Sequence, residues 1–454
     1  VIDAPIPTFI RRIAQNPESP LLWWDGATVN AAHLLARVED WKISLNTLGV
    51  TRGAVVGFMG DFSPASVALF LALLERDAVL VPFTRTIAPE VPKLAAIAGV
   101  EFSLEIAPDD SWEGRRTAAI GEPNSLITEL RQRQAPGLVL FSSGSTGVPK
   151  GVLHDCHALL QRFGSERPAW RTVLFLLMDH IGGFNTLMSV ISNRGMAICL
   201  KNRTPESVCR AIETTRAELL PTSPTFLNLL HSSNAWRNAD LSSVRFVTYG
   251  TEVMSESTLR KALEMFPEAR LKQTYGLSEL GIMSSRSESN DSTWLKVGGE
   301  GYETRIIDNV MWIRARSSMI GYLNAPNPFD EDGWFCTGDV VDVKGDFIRF
   351  LGRKSEIINV GGQKVYPAEV ETVLLSSPIV REATVYAAPH PLLGQAVCAD
   401  ITLSTPEEFS AAVRELRALC RQHLARYKVP ARFRIVEDTS HSGARFKKIR
   451  RKQS

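Results

Sequence analysis
Through the first 350 residues, short runs of consecutive apolar residues alternate with longer segments of helical period. Ala54–Met59, Ala78–Pro82, Val173–Leu177, Met196–Leu200, Ala217–Leu220 and Val244–Thr248 are each expected as short buried strands. Pro64–Arg76, with an apolar face, and Pro205–Thr214 read as helices between them. This alternation predicts an α/β architecture. The texture then changes. Thr304–Ile307, Val310–Ile313 and Phe347–Phe350 are short strands split by turns such as Asp308-Asn309 and Lys344-Gly345-Asp346, which predicts a small β-rich subdomain. After Gly352-Arg353 the pattern restarts. Pro367–Ser376 and Pro406–Ala425 are expected as helices, and Ala383–Tyr386 and Val397–Thr402 as strands. The expected organisation is a large N-terminal domain of helix-flanked sheets with a β-rich subdomain (1–352), followed by a small α+β C-terminal domain.

Composition narrows the class. The 454 residues are too many for one ordinary core. A hydrophobic fraction of 44% with 22% charged residues is globular, and a net charge of +2 gives no general affinity for nucleic acid or anionic membrane. Six scattered cysteines form no C-x-x-C pair, which fits a reduced, cytoplasmic setting without a zinc site. The longest apolar runs, Val67–Leu74 and Val173–Met178, are too short to cross a bilayer.

The candidate chemistry starts at Phe141-Ser-Ser-Gly-Ser-Thr-Gly-Val-Pro-Lys-Gly-Val152, directly after the apolar run Leu138-Val139-Leu140. Glycines let a backbone approach an anion closely, successive N–H groups converge on it, and hydroxyls and Lys150 add donors. The stretch is not a Walker A loop. Gly144 and Gly147 are too close together, Val148-Pro149 separates Gly147 from Lys150, and Gly151 follows the lysine where Ser or Thr is required.

The loop closely resembles the signature loop of the adenylate-forming superfamily, which includes acyl- and aryl-CoA ligases, luciferases and the adenylation domains of peptide synthetases. Further motifs follow in that family's order: Tyr249-Gly-Thr-Glu252, Gln273-Thr-Tyr-Gly-Leu-Ser-Glu279, Gly333-Trp-Phe-Cys-Thr-Gly-Asp339 and Leu351-Gly-Arg through Glu371. The resemblance implies that Ser142, Ser143, Gly144, Ser145, Thr146, Gly147 and Lys150 grip the β- and γ-phosphates of ATP. It places adenine against Tyr275 and Gly250-Thr251-Glu252, beside Thr274, Gly276 and Leu277, and the ribose against Asp339 and Arg353. Glu279, with Ser145 or Thr146, then binds Mg²⁺, next to Ser278. A carboxylate suits both jobs, as an acceptor for paired hydroxyls and as a hard-cation ligand. Gly361-Gly362 match the glycines beside which a pantetheine thiol passes. The resemblance also implies a hinge at 353–355 and a mobile C-terminal domain over 356–454. Ser355 stands where the family's hinge usually carries Asp or Lys, and a small residue can still absorb a rotation.

The family's catalytic lysine near the C-terminus has several candidate positions here, in Ser442-Gly-Ala-Arg-Phe-Lys-Lys-Ile-Arg-Arg-Lys452. Aligning Gly443 with the family's glycine leaves Ala444 at the lysine. Aligning the following hydrophobic residue selects Arg445 or Lys448, and counting from Tyr427 lands near Lys447. The tail also reads as a solvated basic segment.

The resemblance implies ATP-dependent conversion of a carboxylic acid to acyl-AMP and pyrophosphate, followed by domain rotation and transfer to a thiol, most simply CoA. His180, in Leu177-Met-Asp-His-Ile-Gly-Gly-Phe184, matches a pocket-side histidine of acyl- and aryl-CoA ligases. Phe184, Thr225, Phe226, Tyr249 and Gly276 are further pocket candidates. Amino-acid-activating members carry an aspartate at this point, and Asp179 falls one residue early, so the expected acid is aryl or medium-sized acyl without an α-amino group. Two alternatives stay open: loading of a carrier-protein phosphopantetheine, and a non-catalytic nucleotide-binding relative.

Overall fold
The computed structural model describes residues 5–117, 124–142, 148–404, 408–437, 441 and 448. Two seven-stranded sheets carry the N-terminal part. In one, Arg270–Gln273, Phe246–Tyr249, Leu219–Thr222, Arg171–Val173, Met196–Ile198 and Pro20–Trp24 run parallel, and Ala27–Asn30 closes an edge in the opposite sense. In the other, Gly137–Ser142, Val79–Phe83, Val55–Met59 and Phe102–Ile106 are parallel, with antiparallel partners at both margins.

Helix Pro64–Glu75 starts from a Ser63–Ser66 capping box with Pro at its first turn, and every residue from Pro64 to Leu74 is buried. The sequence suggested a single apolar face. The structure buries all faces, as suits a helix with no polar stripe. Its side chains share a core with both large sheets, through Val56 and Leu138 on one side and Leu22 and Ala197 on the other.

A six-stranded antiparallel sheet follows, in the order Ser285–Ser287, Leu295–Val297, Phe347–Arg353, Phe335–Lys344, Val310–Ala315 and Tyr302–Ile307. From Ile358 onward the strands join a separate sheet, with Gly394–Leu403 and Val380–His390 as its long antiparallel pair and Arg432–Ile435 lying parallel to the former. Helices Pro367–Leu374 and Phe409–His423 accompany it, and it has its own core around Val370, Val385, Ile401 and Leu416.

The expected strand Val173–Leu177 ends four residues early, at Val173. Arg203 explains why. Its guanidinium donates to the carbonyls of Phe175 (2.5 Å) and Leu174 (3.4 Å) while pairing with Asp61, so a side chain satisfies groups that a neighbouring strand would otherwise take.

Candidate functional site
Three neighbouring parallel strands of the first sheet end level with one another. Thr222 pairs with Tyr249, and Tyr249 with Gln273. The chain leaves all three at their carboxyl ends, where open α/β sheets hold ligands. Ser223 caps the helix Pro224–Ser233, which brings Thr225 to the same place. There Thr225, Thr251, Glu252, Thr274, Tyr275 and Gly276 line a cleft that opens to solvent.

The loops touch closely. Thr274 donates from its N (2.7 Å) and Oγ1 (3.1 Å) to the Tyr249 carbonyl. A side chain at Gly250 would come within 2.8 Å of the Thr274 carbonyl, so only glycine fits there. Thr251 sits at φ 71°, a conformation that costs a β-branched residue about 1–3 kcal/mol. The Glu252 carboxylate accepts from Thr225 N (3.2 Å) and Oγ1 (2.7 Å) and from the backbone N of Lys448. Burial raises its pKa, against the lowering effect of those partners.

The six-stranded sheet supplies the opposite wall. Asp339 and Arg353 face each other in register on neighbouring strands. Asp339 Oδ1 accepts from Arg353 Nε at 3.1 Å, and Oδ2 accepts from the Tyr275 hydroxyl at 2.5 Å. The Tyr275 ring stacks on Phe350, with centroids 4.6 Å apart and an interplanar angle of 12°. Burial, then the neighbouring carboxylate, pushes the tyrosine pKa well up. Burial opposes the charge on Arg353, yet Asp339 and other acidic neighbours leave its pKa raised.

On the phosphate side, Ser142 and Lys150 are paired across an antiparallel hairpin, and Lys150 Nζ stands 4.7 Å from the centroid of the Tyr322 ring. The intervening candidates Ser143, Gly144, Ser145, Thr146 and Gly147 lie outside the described residues. Tyr322 donates to Glu279 Oε1 at 2.8 Å, and Glu279 Oε2 accepts nothing from the described residues. Backbone contacts fix this carboxylate: Met319 N donates to the Glu279 carbonyl (2.8 Å), and buried His154 Nε2 lies 2.5 Å from the Ser278 carbonyl. Among the described residues no group of three or more His, Cys, Asp or Glu side chains could cage a metal. One carboxylate with an open oxygen fits Mg²⁺, which is usually held by one or two carboxylates plus substrate phosphates.

A family profile described as AMP-binding enzyme matches residues 9–322, and one described as AMP-binding enzyme C-terminal domain matches residues 369–444. The chain belongs to the AMP-binding enzyme family. It is an AMP-forming ligase of the adenylate-forming superfamily, as the motifs implied. Indoleacetate–CoA ligase of Aromatoleum aromaticum is 26% identical over 92% of each chain. A fatty acid–[acyl-carrier-protein] ligase of Streptomyces coeruleorubidus is 25% identical over 93% of this chain and 90% of its own. The fold matches the crystal structure of the anthranilate CoA ligase AuaEII in complex with anthranoyl-AMP, with TM-score 0.79, 18% identity, and 95% of this chain and 93% of that one covered.

Not every motif residue of this family member reaches the cleft. Phe226 and Tyr249 are core side chains, fully or almost fully buried, and Phe226 packs 4.3 Å from the Phe175 ring centroid. His180 caps its own helix, with Nδ1 accepting from Gly182 N at 3.1 Å, and lines neither that cleft nor the small second cavity beside Phe184. Gly361 and Gly362 form the tip of a hairpin at φ 57° and 87°, away from the cleft in this arrangement. Ala444, Arg445 and Lys447 lie outside the described residues. Lys448 lines the cleft, but its ammonium turns into the C-terminal unit, 3.0 Å from Glu382 Oε1 and 2.6 Å from the Ala383 carbonyl.

Several lining residues carried no sequence signal for this place. Phe350 is one apolar position in an alternating strand. Asn228 sits within a helix, and Glu371 belongs to a motif with no side-chain role assigned.

Proposed function
We propose that the protein activates an aryl or medium-sized acyl carboxylic acid without an α-amino group as its acyl-adenylate, then passes the acyl group to CoA. The carboxylate attacks the α-phosphorus of ATP and pyrophosphate leaves. The convergence of Thr274–Leu277, Gly250–Glu252, Asp339 and Arg353 on one cleft carries this reading. In it, Asp339 accepts from the ribose hydroxyls, Tyr275 and Gly250–Glu252 border the adenine, and Lys150 with residues 142–147 draws charge off the leaving phosphates. Glu279 would hold Mg²⁺, which when bound neutralises phosphate charge. Positioning and preset charge do most of the work in such a transfer. A hinge at 353–355 would let residues 356–454 rotate between the two half-reactions and bring Gly361-Gly362 to the thiol path.

Asp179 supports an acid without an ammonium group. It is buried, accepts from Thr84 Oγ1 at 3.0 Å and does not line the cleft. The carrier-loading alternative draws on the relative named as a carrier-protein ligase.

ATP–pyrophosphate exchange across aryl, acyl and amino acids tests the first step. The expected result is exchange with aryl or acyl acids and none with amino acids. ATP binding without exchange for any acid would instead indicate a non-catalytic relative. Product analysis with CoA and with a phosphopantetheinyl carrier then separates the acceptors.

A further inference from the structure
A second, small cavity lies behind the hairpin of Tyr275–Leu277 and Gly281–Met283. Arg162, Phe184, Asn185, Ile282, Tyr302 and Ser317 are among its lining residues. The first strand of the hairpin borders the main cleft and the second borders this cavity. Gly276 pairs with Ile282, and a side chain at Gly276 would collide with Ile282 Cδ1. The Ile282 side chain therefore sits between the two spaces.

The polar groups of the cavity are unevenly satisfied. Ser317 Oγ donates to the Leu280 carbonyl at 2.7 Å, and Tyr302 Oη lies 3.0 Å from Ser317 Oγ and 3.2 Å from the Ile282 carbonyl. Arg162 donates one N–H to the Ile282 carbonyl and lies 5.5 Å from the Phe163 ring centroid. No carboxylate pairs with it among the described residues, although burial lowers its pKa. The Asn185 amide has no protein hydrogen-bond partner among them. Positive charge accumulates nearby: after burial, the charges of Arg162, Arg167 and Arg270 lower the pKa of half-buried Lys272. A half-buried guanidinium with open donors, beside an open amide and in a positive field, is a place for an anion.

We propose that this cavity is the far end of the acid site, where Arg162 and Asn185 hold a second carboxylate of the substrate, remote from the one that is activated. The proposal rests on the acid-activating reading and narrows it to dicarboxylic acids. A guanidinium takes a carboxylate through two parallel N–H bonds. A site built to hydrogen-bond a substrate group rejects the analogue that lacks it far more strongly than an apolar pocket rejects a missing methylene.

The test uses matched pairs, terephthalate against 4-methylbenzoate and suberate against octanoate, in calorimetric binding and in ATP–pyrophosphate exchange. The wild-type protein should favour at least one diacid over its neutral partner by 100-fold or more, chiefly through KM. Arg162→Met should abolish that preference, Arg162→Lys should keep part of it, and Asn185→Leu should weaken it about ten-fold. The pattern across the three variants stands if any one of them fails to fold. Exchange with neutral acids and no diacid preference would overturn the proposal and leave acid activation standing. Diacid-selective binding without any exchange would support the carboxylate site and sink the activation reading. Failure of every diacid to bind would overturn the proposal outright.

Discussion

The Tyr275 hydroxyl and the Asp339 carboxylate meet at 2.5 Å, joining the hairpin that follows one mainly parallel sheet to a strand of the antiparallel sheet. Asp339 thus has two jobs in the proposed site. One oxygen ties the two walls together and the other holds Arg353. Asp339→Ala removes both anchors and the expected ribose acceptor. Charged hydrogen bonds of this kind contribute about 1.5–3 kcal/mol each, so with both anchors gone kcat/KM for ATP in pyrophosphate exchange should fall about 100-fold or more. Tyr275→Phe removes one anchor alone, keeps the ribose acceptor and should cost about ten-fold, the low end for one such bond. Equal losses in the two variants would show that the tie, not the acceptor, is what ATP depends on.

His154 makes stability depend on pH. It is fully buried, and burial lowers its pKa from 6.5 to about 4. Its Nε2 faces the Ser278 carbonyl, so the neutral ring carries its proton there. Above pH 6.5 the ring is neutral whether the chain is folded or unfolded and contributes no slope. Between about pH 6.5 and 4 the unfolded chain binds the proton and the folded one does not, so stability falls as pH falls. The full window is worth about 3 kcal/mol. Denaturant unfolding at pH 7.5, 6 and 5 should show this decline. His154→Gln, which keeps a donor for the Ser278 carbonyl, should flatten it, and an unchanged slope in that variant would assign the decline to other groups.

The regions legible in the sequence were those where one physical demand dominates. Strands buried on both faces must be apolar throughout, so Ala54–Met59 and Ala78–Pro82 announce Val55–Met59 and Val79–Phe83 to within a residue. Trp112–Arg116 is an edge strand of mostly exposed, charged residues, and nothing in Trp-Glu-Gly-Arg-Arg signals a sheet. Val173–Leu177 was cut short by Arg203, a residue 26 positions beyond its end. The motif residues after Tyr249 and Gln273 were legible because backbone contact between loops demands glycine and small hydroxyls. Phe350 and Arg162 were not, because only the folded chain sets one against Tyr275 and the other behind Ile282.

Glu279 should govern the magnesium requirement. Tyr322 occupies Oε1, and Oε2 is left for a hard cation. Glu279→Gln keeps an acceptor for Tyr322 and removes the charge. Titration of Mg²⁺ in the exchange assay should show half-saturation moving up at least ten-fold, with little change in unfolding midpoint. An unchanged magnesium curve would place the metal on phosphates alone and refute the assignment.

Lys448 presents a choice between structure and catalysis that one variant resolves. Its side chain is 10% exposed, and its ammonium lies 3.0 Å from Glu382 and 3.5 Å from Glu371, whose side chains are 10% and 6% exposed. Its backbone N donates to Glu252 at the cleft. This arrangement spends the ammonium on two carboxylates of the C-terminal unit, and it couples the tail to the nucleotide side through the backbone. Lys448→Met leaves two buried carboxylates without their cation, and removing one partner of a buried ion pair costs about 3–5 kcal/mol. The expected outcome is a large fall in unfolding free energy, measured with a probe on the C-terminal unit, together with loss of exchange. Were Lys448 the transition-state cation instead, stability would hold within about 1 kcal/mol while exchange fell about 100-fold or more, the usual effect of deleting a preorganised donor. Ala444→Lys supplies the complementary reading. A large gain in exchange on placing lysine there would mark position 444 as the catalytic one and leave Lys448 as the anchor that sets the tail against Glu252.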